Sequence, residues 1–165
     1  MALPESAWLE AYRRLERPLF NVLYRSLWQR QDAEDLMHEA FLRVWDRRES
    51  VRVEGLDALL YTTALNLARN RLRWRELWRF VGFEADDQAP DDPLLDADGR
   101  QAESRLRQAL NELTVEQRNV MLLAEYAGMT TDEIAKVLHI APGTVGSRKH
   151  AAKQRLRALL GEPHD

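Results

Sequence analysis

"TTDEIAKVLHIAPGTVGSRKHAAKQRLRALL", residues 130–160, begins acidic, passes a Pro-Gly turn and ends basic. Thr130 and Glu133 form a capping-box pattern, which predicts the start of a short helix. Pro142 suits the first position of a second helix, which continues to the end of the stretch. No acidic residue follows Glu133 in this stretch. The pattern predicts a helix-turn-helix whose second helix has a basic face.

The basic second helix predicts contact with duplex DNA. Arginine can bind guanine through two hydrogen bonds, and both lysine and arginine neutralise phosphates. The alternative interpretation is an ordinary amphipathic helix with a solvated basic side. The candidate DNA-binding residues on its outer faces are Thr144, Ser147, Arg148, Lys149, Lys153 and Arg155.

Outside this stretch, the composition divides the chain in two. The 165 residues have a net charge of −3 and no cysteine, which excludes disulfides and thiolate metal sites. All five Trp and all four Phe precede residue 84, whereas Tyr126 is the only aromatic residue after it. Two halves that differ so much in aromatic content predict two separate hydrophobic cores.

Residues 84–100, "EADDQAPDDPLLDADGR", separate these halves and hold seven acids, one base, two prolines and one glycine. Such a segment repels itself and buries little apolar surface, so it predicts an extended flexible linker. A long loop within one domain is the alternative. We therefore predict one domain at residues 1–83, an acidic linker at 84–100 and a second domain at 101–165.

Apolar residues recur at helical spacing in both halves, and no segment alternates like a strand. The first half predicts three helices, whose apolar residues lie within positions 8–27, 36–45 and 56–72. Pro18 is expected to kink or divide the first helix, and Asp32 to cap the second. In the second half, Thr114 and Gln117 form another capping-box pattern. The predicted fold is all-α, with two small helical domains joined by an acidic linker.

"ALNLARNRLRWRELWRF", residues 64–80, interleaves arginines with Asn and Trp. Arginine neutralises phosphate, asparagine can bond base edges, and aromatic rings stack on unpaired bases. This mixture predicts contact with strand-separated DNA. The alternative is a solvated charged face with Trp74 and Trp78 in the core. The candidate residues for this contact are Tyr61, Asn66, Arg69, Asn70 and Arg73.

"DAEDLMHEAFLRVW", residues 32–45, places Asp32, Asp35 and Glu39 on one helix face, while Leu36 turns inward. An acidic, partly apolar face suits a basic partner. A solvated helix with a well-capped start is the alternative.

No catalytic pattern is evident. The four histidines are scattered, and there is neither a Gly-rich phosphate loop nor a nucleophile elbow. We therefore predict no enzyme, no cofactor and no metal site. Glu5 and Glu10 argue against a signal peptide, and no apolar run approaches the roughly 20 residues that span a bilayer. A cytoplasmic protein without direct membrane insertion is expected.

The order of these segments resembles the extracytoplasmic-function (ECF) sigma factors of bacterial RNA polymerase, which belong to the sigma-70 family. Residues 32–45 resemble the polymerase-docking motif of that family. "LLYTTALNLARNRLR", residues 59–73, resembles its −10 element helix, and residues 110–160 resemble its −35-binding domain. The resemblance covers nearly the whole chain and implies core RNA polymerase, promoter DNA and an anti-sigma factor as partners.

The resemblance also implies roles for the candidate residues. Residues 50–58 would hold a flipped base of the −10 element, with Asn66 at the edge of that pocket. Asn70 and the arginines after it would follow the −10 strand. The docking residues would be Asp32, Asp35, Leu36 and Glu39. In the −35 domain, bases would be read by Thr144, Arg148 and Lys149, and phosphates contacted by Lys153 and Arg155.

The sequence departs from the family pattern at several positions. Gly146 stands where the recognition helix of the family carries a basic residue, and Lys149 where it carries an apolar one. The predicted function is an alternative sigma factor that binds core polymerase and directs it to specific promoters. The alternative function is a stand-alone helix-turn-helix regulator whose N-terminal half dimerises or binds an effector.

Overall fold

The computed structural model describes residues 2–82 and 94–161, which form two compact units. The first unit contains α1 (Glu5–Leu27), α2 (Arg30–Asp46) and α3 (Leu56–Phe80). The second contains α4 (Ala97–Glu112), α5 (Val115–Glu125), α7 (Pro142–Leu160) and most of α6 (Thr131–Leu138). No strand occurs in these ranges, which confirms the all-α prediction. Most of the predicted acidic linker lies outside the described residues.

The first unit is a three-helix arrangement in which each helix packs against the other two. Apolar residues recur every three or four positions, so each helix turns one apolar stripe inward. Leu19 and Leu23 of α1, Phe41 of α2 and Leu60 of α3 are at most 1% exposed. Two short 3-10 turns, Arg48–Ser50 and Val53–Gly55, connect α2 to α3.

One prediction about the helix boundaries of this unit is wrong, and another is narrowed. Pro18 lies inside α1 without dividing it, and Leu15 and Leu19 on either side are both buried in the core. A kink at Pro18 stays a prediction. Asp32 does not cap α2, which begins two residues earlier with Gln29 at the N-cap position. The chain turns at Trp28, whose φ of 57° is left-handed and whose N–H donates to the Tyr24 carbonyl.

The second unit begins inside the segment that composition assigns to the linker. The side chain of Asp96 accepts a hydrogen bond from the Gly99 amide at 2.7 Å and caps α4. Asp98 adds an acid to the first turn, where the helix dipole favours it. Residues 97–100 are therefore helical, because the acids that suggested a linker here serve as a helix start.

The helix-turn-helix forms as the sequence predicts. Both capping boxes are present, Thr114 with Gln117 at α5 and Thr130 with Glu133 at α6. The turn after α6 contains His139 with a φ of 57°, and Pro142 occupies the first turn of α7. In the described ranges, no helix is long and apolar enough to cross a membrane.

Candidate nucleic-acid interface

The outer face of α3 carries the polar residues that the sequence associates with strand-separated DNA. Asn66, Asn70 and Arg73 recur at intervals of four and three and are exposed, so they share one face of the helix. Arg69 is exposed beside them. The opposite face of α3 is buried through Leu60 and Ala64. This face therefore presents two amides and two guanidinium groups to the solvent.

A groove of about 470 Å³ lies between this face and the end of α2. Asn66 and Asn70 line one side, while Arg43 and Arg47 line the other. Amides can bond the polar edges of a base, and guanidinium groups can neutralise the phosphates of the strand that carries it. The groove thus combines both requirements for holding an unpaired nucleotide.

The arginines of α3 divide between two sides of the helix. From Arg69 to Arg75 they occur every second residue, and a step of two residues turns a helix by roughly 200°. Arg69 and Arg73 consequently lie on the outer side, whereas Arg71 and Arg75 turn toward α2 and pair with Asp32 at 2.8 and 2.5 Å. The expectation that all arginines after Asn70 follow a DNA strand is therefore wrong for these two.

Tyr61 is a second correction, because it belongs to the core. Its side chain is 2% exposed, and burial, with a smaller effect of nearby Asp57, raises the pKa of its phenol. A ring in this position cannot stack on a base. Trp74 and Trp78, by contrast, are 59% and 46% exposed. The alternative that places both in the core is therefore wrong.

The acidic face of α2 is only partly available to a partner. Asp35 is exposed and accepts a hydrogen bond from Gln31, while Glu39 pairs with Arg43 at 2.7 Å. Leu36 is 2% exposed and packs inward, so it cannot contact a partner in this conformation.

Asp32 is likewise engaged within the first unit. Both of its carboxylate oxygens accept bonds from arginines of α3, and they are not presented to a partner as the sequence suggested. The acidic face gains one residue that sequence reasoning missed. Leu42 is 59% exposed and lies two turns beyond Asp35, on the same face; this spacing of seven was the available signal.

The candidate residues of α7 surround the helix rather than sharing one face. Ser147, Lys153 and Arg155 are exposed, whereas Thr144, Arg148 and Lys149 are half-buried. Arg155 also pairs with Glu112 of α4 at 3.5 Å.

Two exposed residues of α7 were missed by sequence reasoning. His150 and Gln154 lie with Ser147 on the side opposite the buried Val145 and Ala152. Their spacing of three and seven residues from Ser147 could have identified them. Across the residues that the structure describes, no group of three His, Asp or Glu side chains could hold a metal ion.

Each half of the chain matches a family of known proteins. Residues 11–77 match the family model of Sigma-70 region 2, and residues 103–156 match that of Sigma-70 region 4. The RNA polymerase sigma-E factor of Streptomyces coelicolor is 35% identical over 133 residues, which cover 78% of this chain and 72% of that protein. The ECF RNA polymerase sigma factor SigE of Mycolicibacterium smegmatis is 30% identical over 161 residues. These cover 94% of this chain and 62% of the length of that relative.

Two solved structures share the fold. CnrH, in complex with the cytosolic domain of CnrY, gives a TM-score of 0.73 at 22% identity and covers 95% of this chain and 89% of that one. The sigma factor RpoE of Bartonella quintana, in complex with the anti-sigma factor NepR, gives a TM-score of 0.72 at 24% identity. The match covers 94% of this chain and 99% of that one.

Proposed function

The chain belongs to the ECF sigma factors of the sigma-70 family, and on that premise we propose that it binds core RNA polymerase and directs it to specific promoters. One observation carries the proposal. The segment that matches region 2 presents Asn66, Asn70 and Arg73 on one exposed face, and the segment that matches region 4 ends in a basic helix-turn-helix. A single chain thus has one surface suited to an unpaired strand and another suited to duplex DNA.

The first unit captures the −10 strand. We assign the unpaired base to the groove between α2 and α3, which Asn66 and Asn70 line, rather than to the loop at residues 50–58. There the two amides bond the edge of the base. Arg69 and Arg73 neutralise the phosphates on either side of that base. Flipping a base costs a few kcal/mol, and these contacts offset that cost because they form only with the base out of the helix.

The second unit binds the −35 duplex through α7. Its first two turns carry Thr144, Ser147 and Arg148, which are placed to read base edges, as the first residues of a recognition helix do. Lys153 and Arg155 supply phosphate contacts farther along. With Gly146 in the helix, the preferred −35 sequence differs from that of relatives with a basic residue there.

Core polymerase docks on the acidic face of α2. Asp35 and Glu39 attract a basic partner surface, and Leu42 supplies an apolar contact between charged neighbours. This assignment omits Asp32 and Leu36, which are engaged within the first unit.

Two tethered sites gain affinity from each other. When one unit is bound, the connection keeps the second near its own DNA element at a high effective concentration. We retain the first domain at 1–83, extend the second from 101–165 to 97–165, and shorten the linker to 84–96, because α4 begins at Ala97.

A further protein regulates the chain. Both similar structures are complexes with a second protein, which is an anti-sigma factor in the case of RpoE. We infer that an anti-sigma factor covers surfaces of this chain needed by polymerase or promoter. Because promoter DNA and core polymerase are the partners, the chain acts in the bacterial cytoplasm and performs no bond chemistry of its own.

Transcription of fragmented genomic DNA from the source organism tests this function. Purified core polymerase is incubated with and without the chain, and the 5′ ends of the RNA are mapped. The proposal predicts new ends that require the chain and share two upstream motifs at constant spacing. If the chain retains duplex fragments yet yields no new RNA ends with core, the stand-alone regulator is the better account.

A further inference from the structure

Asp32 and Arg75 together join three helices at one point of the first unit. Its Oδ1 accepts a hydrogen bond from Arg71 Nη1 at 2.8 Å, and its Oδ2 accepts one from Arg75 Nη2 at 2.5 Å. Arg75 Nη1 also donates to the carbonyl of Leu27, the last residue of α1, at 2.8 Å. The carboxylate in the first turn of α2 therefore bonds the second half of α3 directly and is linked to the end of α1 through Arg75.

This cluster is shielded from solvent. The side chains of Asp32 and Arg75 are 20% and 15% exposed, and that of Arg71 is 38% exposed. Charge-assisted hydrogen bonds in such surroundings hold side chains more firmly than an open surface pair does. The cluster is thus suited to fixing the position of a helix.

The helix that it holds is the one that presents the strand-binding face. Arg71 directly follows Asn70 in the sequence, and the two side chains project from different sides of α3. A helix moves as one piece, so contacts that fix its inner side also fix the direction in which Asn70 and Arg73 point. Asp32 itself lines no part of the groove between α2 and α3.

We propose that Asp32 is a positioning residue for capture of the −10 strand and takes no direct part in polymerase docking. The inference rests on the proposed function of the α3 face. Asp32 acts through Arg71 and Arg75, which set the tilt and rotation of α3 beside the groove.

The negative charge of Asp32 has a second consequence. Asp32 neutralises two arginines that would otherwise attract phosphate without regard to sequence. Removing its charge therefore weakens specific strand capture while leaving or raising affinity for random duplex. Loss of a docking acid would instead reduce affinity for polymerase and leave DNA binding by the chain unchanged.

Asp32→Asn in the full chain tests the assignment. The probe is a promoter fragment recovered by transcription with the wild-type chain and prepared with a mismatched, pre-opened −10 segment. Holoenzyme with the variant should bind this probe about tenfold more weakly, as expected for loss of charge-assisted bonds. Its competition with the wild-type chain for core should be unchanged. Asp35→Asn is the matched control and should show the reverse pattern.

A double-mutant cycle with Asn70→Ala separates positioning from a general loss of stability. If Asp32 acts through the α3 face, the two substitutions should be clearly non-additive in probe binding. Asp32→Glu, which retains the charge, should recover part of the loss. Additive effects, or loss of core competition with intact probe binding, would overturn the proposal.

Hydrogen exchange in the free chain makes the inference testable apart from transcription. Asp32→Asn should accelerate amide exchange at residues 71–80, and unchanged exchange there counts against positioning. If wild-type chain and core make no chain-dependent RNA, the proposed function fails. The comparison of amide exchange between wild type and Asp32→Asn still tests whether Asp32 positions α3. Should Asp32→Asn prevent folding, Arg71→Gln carries the same test, because it leaves both bonds of Arg75 in place.

Discussion

Asn66 and Asn70 lie one helical turn apart on the exposed face of α3, and both line the groove between α2 and α3. Their amides can bond the edge of the same base or of adjacent bases. This pair is the most specific feature of the proposed strand-binding site, because the surrounding arginines can bind any phosphate.

Asn70→Ala should weaken binding of holoenzyme to a pre-opened promoter fragment by about 1–3 kcal/mol if the amide contacts a base. Competition for core should stay unchanged, because the substituted side chain lies on α3 rather than on the acidic face of α2. Asn111→Ala, which changes an exposed asparagine of α4, is the control. Equal affinity of the Asn70 and Asn111 variants would remove Asn70 from the site.

Asp35→Arg should impair core binding by reversing a charge at the centre of the acidic face. Binding of the chain to −35 duplex should remain intact, because that site lies in the other unit. The measurement is competition with labelled wild-type chain for core polymerase, with Glu5→Arg, an exposed acid of α1, as control. Wild-type competition by the Asp35 variant would contradict the docking assignment.

Arg148→Ala should reduce affinity for the −35 duplex by about 1–3 kcal/mol and relax sequence preference at one position if the guanidinium reads a base. Arg105→Ala removes an exposed arginine of α4 and should leave both quantities unchanged. Electrophoretic mobility shifts with a set of single-base duplex variants measure both. An unchanged sequence preference would limit Arg148 to phosphate contact or packing.

Gly146→Ala should stabilise the second unit. Gly146 lies inside α7, and an added Cβ would meet no atom within 4 Å. Alanine is favoured over glycine in a helix interior by about 1 kcal/mol. A higher thermal midpoint in circular dichroism is expected, with Gly128→Ala, where φ is +64°, as a destabilising contrast. A lower midpoint for Gly146→Ala would show that this position has an unrecognised constraint.

Tyr61→Phe should make the free energy of unfolding fall less steeply with rising pH in the alkaline range. Burial raises the pKa of the Tyr61 phenol in the folded chain above its ordinary value of 10.0. Above about pH 10 the unfolded chain therefore releases a proton that the folded chain retains, and stability falls as pH rises. Urea unfolding between neutral pH and pH 11 measures this slope. An identical slope in the variant would exclude Tyr61 as its source.

The sequence predicts much of the fold because each helix carries its own signals. Thr114, Thr130 and Pro142 mark helix starts through local hydrogen bonding and a fixed φ, and all three are found there. The start of α4 was missed because Asp96 serves as a cap within a segment whose overall composition suggests a linker.

The candidate site was less predictable, because its assignment depends on contacts between distant residues. Asp32 stands in an acidic, partly apolar segment, which suggests a docking residue. Only its pairing with Arg71 and Arg75, 39 and 43 residues away, reveals another role. Tyr61 and Trp74 have similar chemistry in the sequence, but α3 buries the first and exposes the second. The rotation of a helix against its neighbours decides such cases.

Run-off transcription from one fully duplex promoter fragment tests the central claim most directly. Core polymerase alone, the chain alone and the two together are compared at equal concentrations, with the fragment chosen from the genomic mapping. The account predicts a defined transcript only when both are present, and its loss when the upstream duplex motif is scrambled. The account would be contradicted if the chain bound the fragment but the combined reaction with core polymerase yielded no transcript.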